Sequence, residues 1–189
     1  MIEKGNMTWT IKKGSESTER RNRLSALDAF LIACIAAGVG LRSLWIGKRE
    51  LWYDEVLSVL MASGQKSAYK LPKDVPFSLQ TFSELLKVSP TQSMTDSVES
   101  VIRGTTGDAH PPLFYLGEHV WMRLFGNSEI ALRSLVLLIS LATLGVAYGI
   151  GRRVLGRQGG LIFAALFSLN PFFFAHSLNL RMYAPMVFW

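Results

Sequence analysis

Apolar and polar residues fall along this chain in long blocks. Residues 1–23 are polar, 26–46 are almost continuously apolar, 47–112 are polar again, and 113–125 are apolar on one helical face only. Two further apolar runs, 129–150 and 161–178, flank a segment holding Arg152, Arg153 and Arg157, and a last apolar run opens at Met182. About 20 helical residues cross a hydrocarbon core of about 30 Å, so the three long runs are of spanning length. The pattern predicts an all-α integral membrane protein with about three transmembrane helices, at 26–46, 129–150 and 161–178, plus the start of a fourth. Interfacial helices are expected in a long extracytoplasmic loop over 47–112. At about 13 residues, 113–125 is too short to cross and predicts a helix lying along the membrane surface, with Glu118 and His119 facing water. Helical periodicity recurs at 56–63, 81–88 and 94–103. Residues 70–76 read as a turn, and Asn170-Pro171 predicts a kink in the third span.

Charge adds an orientation. Residues 1–23 carry six Lys/Arg against three Asp/Glu, 47–112 carry seven against eight, and 151–160 carry three Arg and no acid. The positive-inside rule then puts a cytoplasmic tail at 1–25 and the 151–160 loop inside, with Asp54, His110 and Arg181 outside. Were 113–125 a full span, the arginine loop would fall on the side of Asp54. The expectation is a multi-pass protein of a plasma or inner membrane with its N-terminus in the cytoplasm. Asp28, Arg42 and Arg133 sit at span ends, where long side chains snorkel.

Composition narrows the class. The 189 residues are 49% hydrophobic with a net charge of +6 and a mean hydropathy of +0.25, too apolar for an ordinary soluble domain. No basic face interleaved with aromatics is present, which argues against nucleic-acid binding. The single cysteine, Cys34, lies in the first apolar run and reads as packing. Gly149-x-Gly151 follows a span rather than a strand, so it is no dinucleotide fingerprint. The chain ends about two helical turns into its last apolar run. It therefore reads as the N-terminal portion of a longer protein, inactive by itself.

Candidate chemistry centres on Leu51-Trp52-Tyr53-Asp54-Glu55, an acid pair just beyond the first span with interfacial aromatics before it. Next come His110-Pro111-Pro112-Leu113-Phe114-Tyr115, Leu124-Phe125-Gly126-Asn127-Ser128-Glu129-Ile130-Ala131-Leu132-Arg133, Gly151-Arg152-Arg153-Val154-Leu155-Gly156-Arg157 and Asn179-Leu180-Arg181-Met182-Tyr183-Ala184. In this order the motifs resemble polyprenyl-phosphate-sugar glycosyltransferases of the GT-C superfamily. The branch in question is the family-39-like one, related to protein O-mannosyltransferases and lipid A aminoarabinose transferases. The likeness covers most of 40–189; its last motif commonly carries Glu where this chain has Asn179. It implies an integral membrane glycosyltransferase that takes a sugar from a polyprenyl-phosphate donor. The acceptor would be a protein, lipid or glycan, met outside the cytoplasm.

Such transfer needs a base for the acceptor proton and cations or donors for the leaving phosphate. Asp54 is the candidate base, with Glu55 orienting the acceptor or binding a divalent metal. The alternative is a solvated acid pair capping the following helix. His110, Arg133, Arg181 and Tyr183 are candidates for the donor phosphate, and His110 is a second option as metal ligand. Against these stand a rigid Pro-led helix start at His110, snorkelling at Arg133, and interface anchoring by Arg181 and Tyr183. His176 reads as a span-end residue. Two rival functions remain. One is a catalytically inactive membrane scaffold or partner subunit with the same fold. The other is a transporter, disfavoured because the charges gather at one membrane face.

Overall fold

The computed structural model describes residues 24–69, 79–89, 91–108 and 110–188. Residues 1–23 of the tail expected at 1–25, and the turn at 70–76, lie outside them. Among the described residues every regular element is helical.

Helix α1 spans Ala26–Trp45. Ser25 starts it with a capping box: its Oγ accepts from the Asp28 N–H at 3.1 Å, and Asp28 Oδ2 accepts from the Ser25 N–H at 3.2 Å. Helix α2 spans Tyr53–Ala62, a 3-10 turn spans Lys66–Ala68, and α3, α4 and α5 span Leu79–Leu85, Met94–Thr105 and Pro112–Phe125. These match the periodicity expected at 56–63, 81–88, 94–103 and 113–125.

The continuous run α6, Glu129–Leu169, holds a reversal. Gly156 has φ 74° and ψ −169°, a conformation that favours glycine. There the chain folds back on itself. A Cβ placed on Gly151 would stand 2.6 Å from the Gly159 carbonyl oxygen, and one on Gly160 would stand 2.7 Å from that of Tyr148. The two arms, 129–155 and 157–169, touch through these glycines. The expected arginine loop at 151–160 is therefore helix up to a one-residue turn. Arg157 reaches back to Asp28 at 3.6 Å, so the start of α1 and the turn share one end of the bundle.

The third expected span is divided as its kink foretold. Asn170 leaves helical geometry (φ −62°, ψ 120°) and its Oδ1 accepts the Phe173 N–H at 2.9 Å, capping α7, Pro171–Ser177. Helix α8, Tyr183–Phe188, follows. Among the described residues two helices, α1 and α6, are long and apolar enough to cross a membrane.

A small core of Leu31, Leu161 and Ala165 joins α1 to the returning arm. A larger one ties the 47–112 segment to the bundle through Val59, Val101, Tyr115, Met122, Leu132, Val136 and Leu180. It explains why α5 does not bathe Glu118 and His119 in water. Flanked by α2, α4 and α6, it buries both residues completely. The snorkelling expected of the span-end charges also fails. Asp28 and Arg42 are buried, and Arg42 donates to Ser177 Oγ at 2.8 Å and to the Ser168 and Gly38 carbonyls at 2.7 and 2.9 Å.

Candidate functional site

The site grows from the third residue of α2. Glu55 is placed there by helix geometry, so its carboxylate reaches back to the Trp52 N–H at 3.2 Å. The same carboxylate receives Arg133 in a two-pronged contact, Nε to Oε1 at 3.1 Å and Nη2 to Oε2 at 2.9 Å. It also accepts the Leu180 N–H at 2.9 Å. Arg133 spends its remaining donors on the carbonyls of Ile46 (3.2 Å), Arg49 (2.5 Å) and Glu50 (3.0 Å). All five guanidinium N–H groups are thereby used. Both side chains are essentially shut from solvent, which corrects the snorkelling expected of Arg133. Burial pushes the Glu55 carboxyl up. The hydrogen bond and charge of Arg133 and the Leu180 and Trp52 N–H groups outweigh it and hold the group below its ordinary value.

This clamp fixes four segments at one point: the end of α1, the start of α2, the start of α6 and the turn before α8. Asp54 stands one residue earlier, half-buried, and among the described residues its carboxylate makes no hydrogen bond or ion pair. One residue beyond Leu180 is Arg181, 8% exposed. Its Nη1 only grazes the Asp54 carbonyl and Ser58 Oγ, both at 3.5 Å, and its buried Nε has no partner. The clamp therefore holds the residue with an unspent carboxylate, through its backbone carbonyl, against an under-used guanidinium.

Helix α5 closes the site with residues that sequence reasoning did not select. Tyr115 and Glu118, one turn apart, are fully buried, and neither Tyr115 Oη nor either Glu118 oxygen has a hydrogen-bond partner among the described residues. Burial, with Asp108 adding to it, raises the Tyr115 phenol to about 12. Burial, then the charge of Glu55, drives the Glu118 carboxyl well above its ordinary value, and Arg181 only partly opposes this. The site therefore favours the neutral, protonated form of Glu118. A readable signal existed, since positions 115, 118, 119 and 122 form one helical stripe in which Tyr and Met are apolar.

His110 flanks the cluster from the start of α5. Its backbone N–H donates to Asp108 Oδ1 at 2.9 Å, and its ring Nδ1 lies 2.5 Å from the same oxygen. Burial raises Asp108, but its bonds to His110 and the charges of His110 and Arg181 leave it below its ordinary value. The two candidates for a divalent metal, Glu55 and His110, are engaged with Arg133 and Asp108. Among the described residues no group of three His, Cys, Asp or Glu converges as a ligand set. Asn179 Oδ1 accepts from Trp52 Nε1 at 3.1 Å, so the position where the resembling motif carries Glu braces the aromatic before Asp54. Tyr183 opens α8 with its ring edge-on to His176, centroids 4.7 Å apart. Beside these groups runs an apolar groove of about 500 Å³ between α5, α6 and α8, lined by Leu113, Phe114, Leu135, Ile139, Met182 and Met186 among others. Phe114 and Met182, which line it, adjoin Tyr115 and Arg181 in sequence.

Residues 109–189 match the family model described as dolichyl-phosphate-mannose-protein mannosyltransferase. The matched part spans α5 to α8 and contains His110, Arg133, Arg181 and Tyr183; Asp54 and Glu55 lie before it. This bears out the resemblance drawn from the motifs and marks the segment as mannosyltransferase-like, of glycosyltransferase type. With the two apolar helices it also marks a membrane protein. No curated protein and no solved structure matches the chain.

Proposed function

We propose that this chain forms part of a membrane glycosyltransferase site that moves a sugar from a polyprenyl-phosphate donor to an acceptor hydroxyl, on a protein in the first instance, at the extracytoplasmic face. Residues 26–189 act as one GT-C-type unit, with 1–25 and the turn at Gly156 in the cytoplasm. Asp54 takes the acceptor proton as the hydroxyl oxygen attacks the anomeric carbon. The bond from that carbon to the phosphate oxygen breaks, and the electron pair leaves with the polyprenyl phosphate. Arg181 receives the developing charge, with His110 and Tyr183 on the same flank. Glu55 and Arg133 hold Asp54 and Arg181 in register and do not touch the reacting atoms. The isoprenoid tail lies in the apolar groove.

The observation that carries this reading is the buried, under-used Arg181 guanidinium, held against the Asp54 backbone carbonyl on the same turn of chain as Met182, which lines that groove. The test is transfer of labelled mannose from polyprenyl-phosphate mannose by the complete protein in its membrane. Arg181→Ala should raise the donor KM about 10- to 100-fold, the size of a charge-assisted contact, with a smaller effect on kcat. Absence of transfer from polyprenyl-phosphate mannose, glucose and aminoarabinose alike would end this reading.

A further inference from the structure

We propose that Asp108 is a positioning residue of this site, acting through His110 by anchoring one ring nitrogen and freeing the other for the donor phosphate. The proposal rests on the glycosyl-transfer reading above. A ring nitrogen 2.5 Å from a carboxylate oxygen requires a proton between them, so Nδ1–H donates to Asp108 Oδ1. The same oxygen accepts the His110 backbone N–H at 2.9 Å, tying ring and backbone to one atom. The segment beyond is stiff. Pro111 stands at φ −65° before α5 and Pro112 opens it, and a residue preceding proline has little backbone freedom. Nε2 makes no hydrogen bond among the described residues, and the side chain is 34% exposed, so this nitrogen is open to a ligand.

The surroundings suit an anion there. Arg181 lies close enough for its charge to help hold Asp108 ionised, and Asp108 in turn acts on Tyr115, whose buried Oη has no partner. Asp108, His110, Tyr115 and Arg181 therefore form one electrostatic neighbourhood, and Pro111, next to His110, lines the apolar groove. With Nδ1–H fixed on Asp108, Nε2 is the ring atom left to meet a phosphate oxygen, and a proton on it bridges to that oxygen with the Asp108 carboxylate on the ring's opposite side. As the anomeric C–O bond breaks and the phosphate gains charge, this second donor works beside Arg181. A ring without its anchor would turn freely and present either nitrogen.

The test has two readouts. In the complete protein, Asp108→Ala and His110→Ala should each lower kcat/KM for the donor about 10- to 100-fold. The double variant should be no worse than His110→Ala, since Asp108 has no task without the ring. Multiplying effects, or wild-type kcat/KM in Asp108→Ala, would overturn the proposal. The second readout needs no turnover and so separates failure of this pair from failure of the glycosyl-transfer reading. Imidazole ¹⁵N shifts of the 189-residue chain in lipid nanodiscs should show neutral His110 protonated at Nδ1, with that tautomer lost in Asp108→Ala. The Nε2-protonated tautomer in the unaltered chain would refute the anchor outright.

Discussion

Two regions lie side by side at one end of this bundle and treat buried polarity in opposite ways. In the Glu55–Arg133 clamp every guanidinium donor has an acceptor, and both carboxylate oxygens have N–H partners. Across from it Tyr115, Glu118 and Arg181 are nearly as deeply buried, yet Oη, both carboxyl oxygens and Nε are left without partners. Buried polar groups are normally satisfied, and an orphan costs about 1–3 kcal/mol. The clamp behaves as scaffold. The face opposite carries the cost of its unpartnered groups, which marks it as something other than scaffold. Asp54 and Glu55, adjacent in sequence, fall on the two sides of this divide because a helix turns about 100° per residue.

The contrast can be broken most forcefully at the clamp. Glu55→Ala leaves buried Arg133 with only the part-exposed Glu129, 3.7 Å away, as counter-charge, and should cost about 3–5 kcal/mol of stability, read as a large drop in the thermal midpoint of the detergent-solubilised chain. A midpoint shift no larger than that of a surface substitution would show that the pair is not the anchor.

On the unsatisfied face the sign reverses. Glu118→Gln should stabilise the chain by about 1–3 kcal/mol at pH 8. The folded-state group titrates above its ordinary value, so the native state holds its proton longer than the unfolded chain does. Stability is then full below the unfolded value, about 4.5, and falls as pH rises from there toward the folded value. The glutamine variant removes that loss, so its advantage should vanish near pH 4. A constant advantage across pH would mean that Glu118 is not a buried neutral acid.

A smaller effect sits on the same helix. His119 Nδ1 lies 2.7 Å from the Ala62 carbonyl oxygen, and burial holds the ring below its ordinary value although that bond pulls the other way. Its folded value lies below the unfolded one of about 6.5, so its contribution is full above about 6.5 and is lost as pH falls from there toward the folded value. His119→Gln should cost about 1 kcal/mol at pH 8 and flatten this acid-side loss, as denaturant midpoints measured at several pH values would show.

Much of this was legible beforehand. Block hydropathy located α1 and both arms of α6, and periodicity located α2, α4 and α5. Asn170-Pro171 marked the break before α7. The grouping of Asp54 with Arg181, away from Arg157, followed from charge. What stayed hidden depended on partners distant in sequence. Arg133 read as a snorkelling residue because its carboxylate lies 78 positions earlier. Glu118 and His119 read as wetted because helix length says nothing of what packs on its sides. Five glycines between 149 and 160 gave no hint that Gly156 alone would reverse the chain, since positive φ leaves no mark in composition.

The central claim is that Asp54 reacts and Glu55 holds. Asp54→Asn in the complete protein, measured for both thermal midpoint and transfer from polyprenyl-phosphate mannose, tests it most directly. Asparagine keeps the size and removes the basicity of a carboxylate that no described residue binds, so the midpoint should stay at the wild-type value. The kcat should fall about 10²- to 10⁴-fold with donor KM nearly unchanged. Near-normal turnover in Asp54→Asn, or a loss of stability comparable to that of Glu55→Ala, would contradict the account.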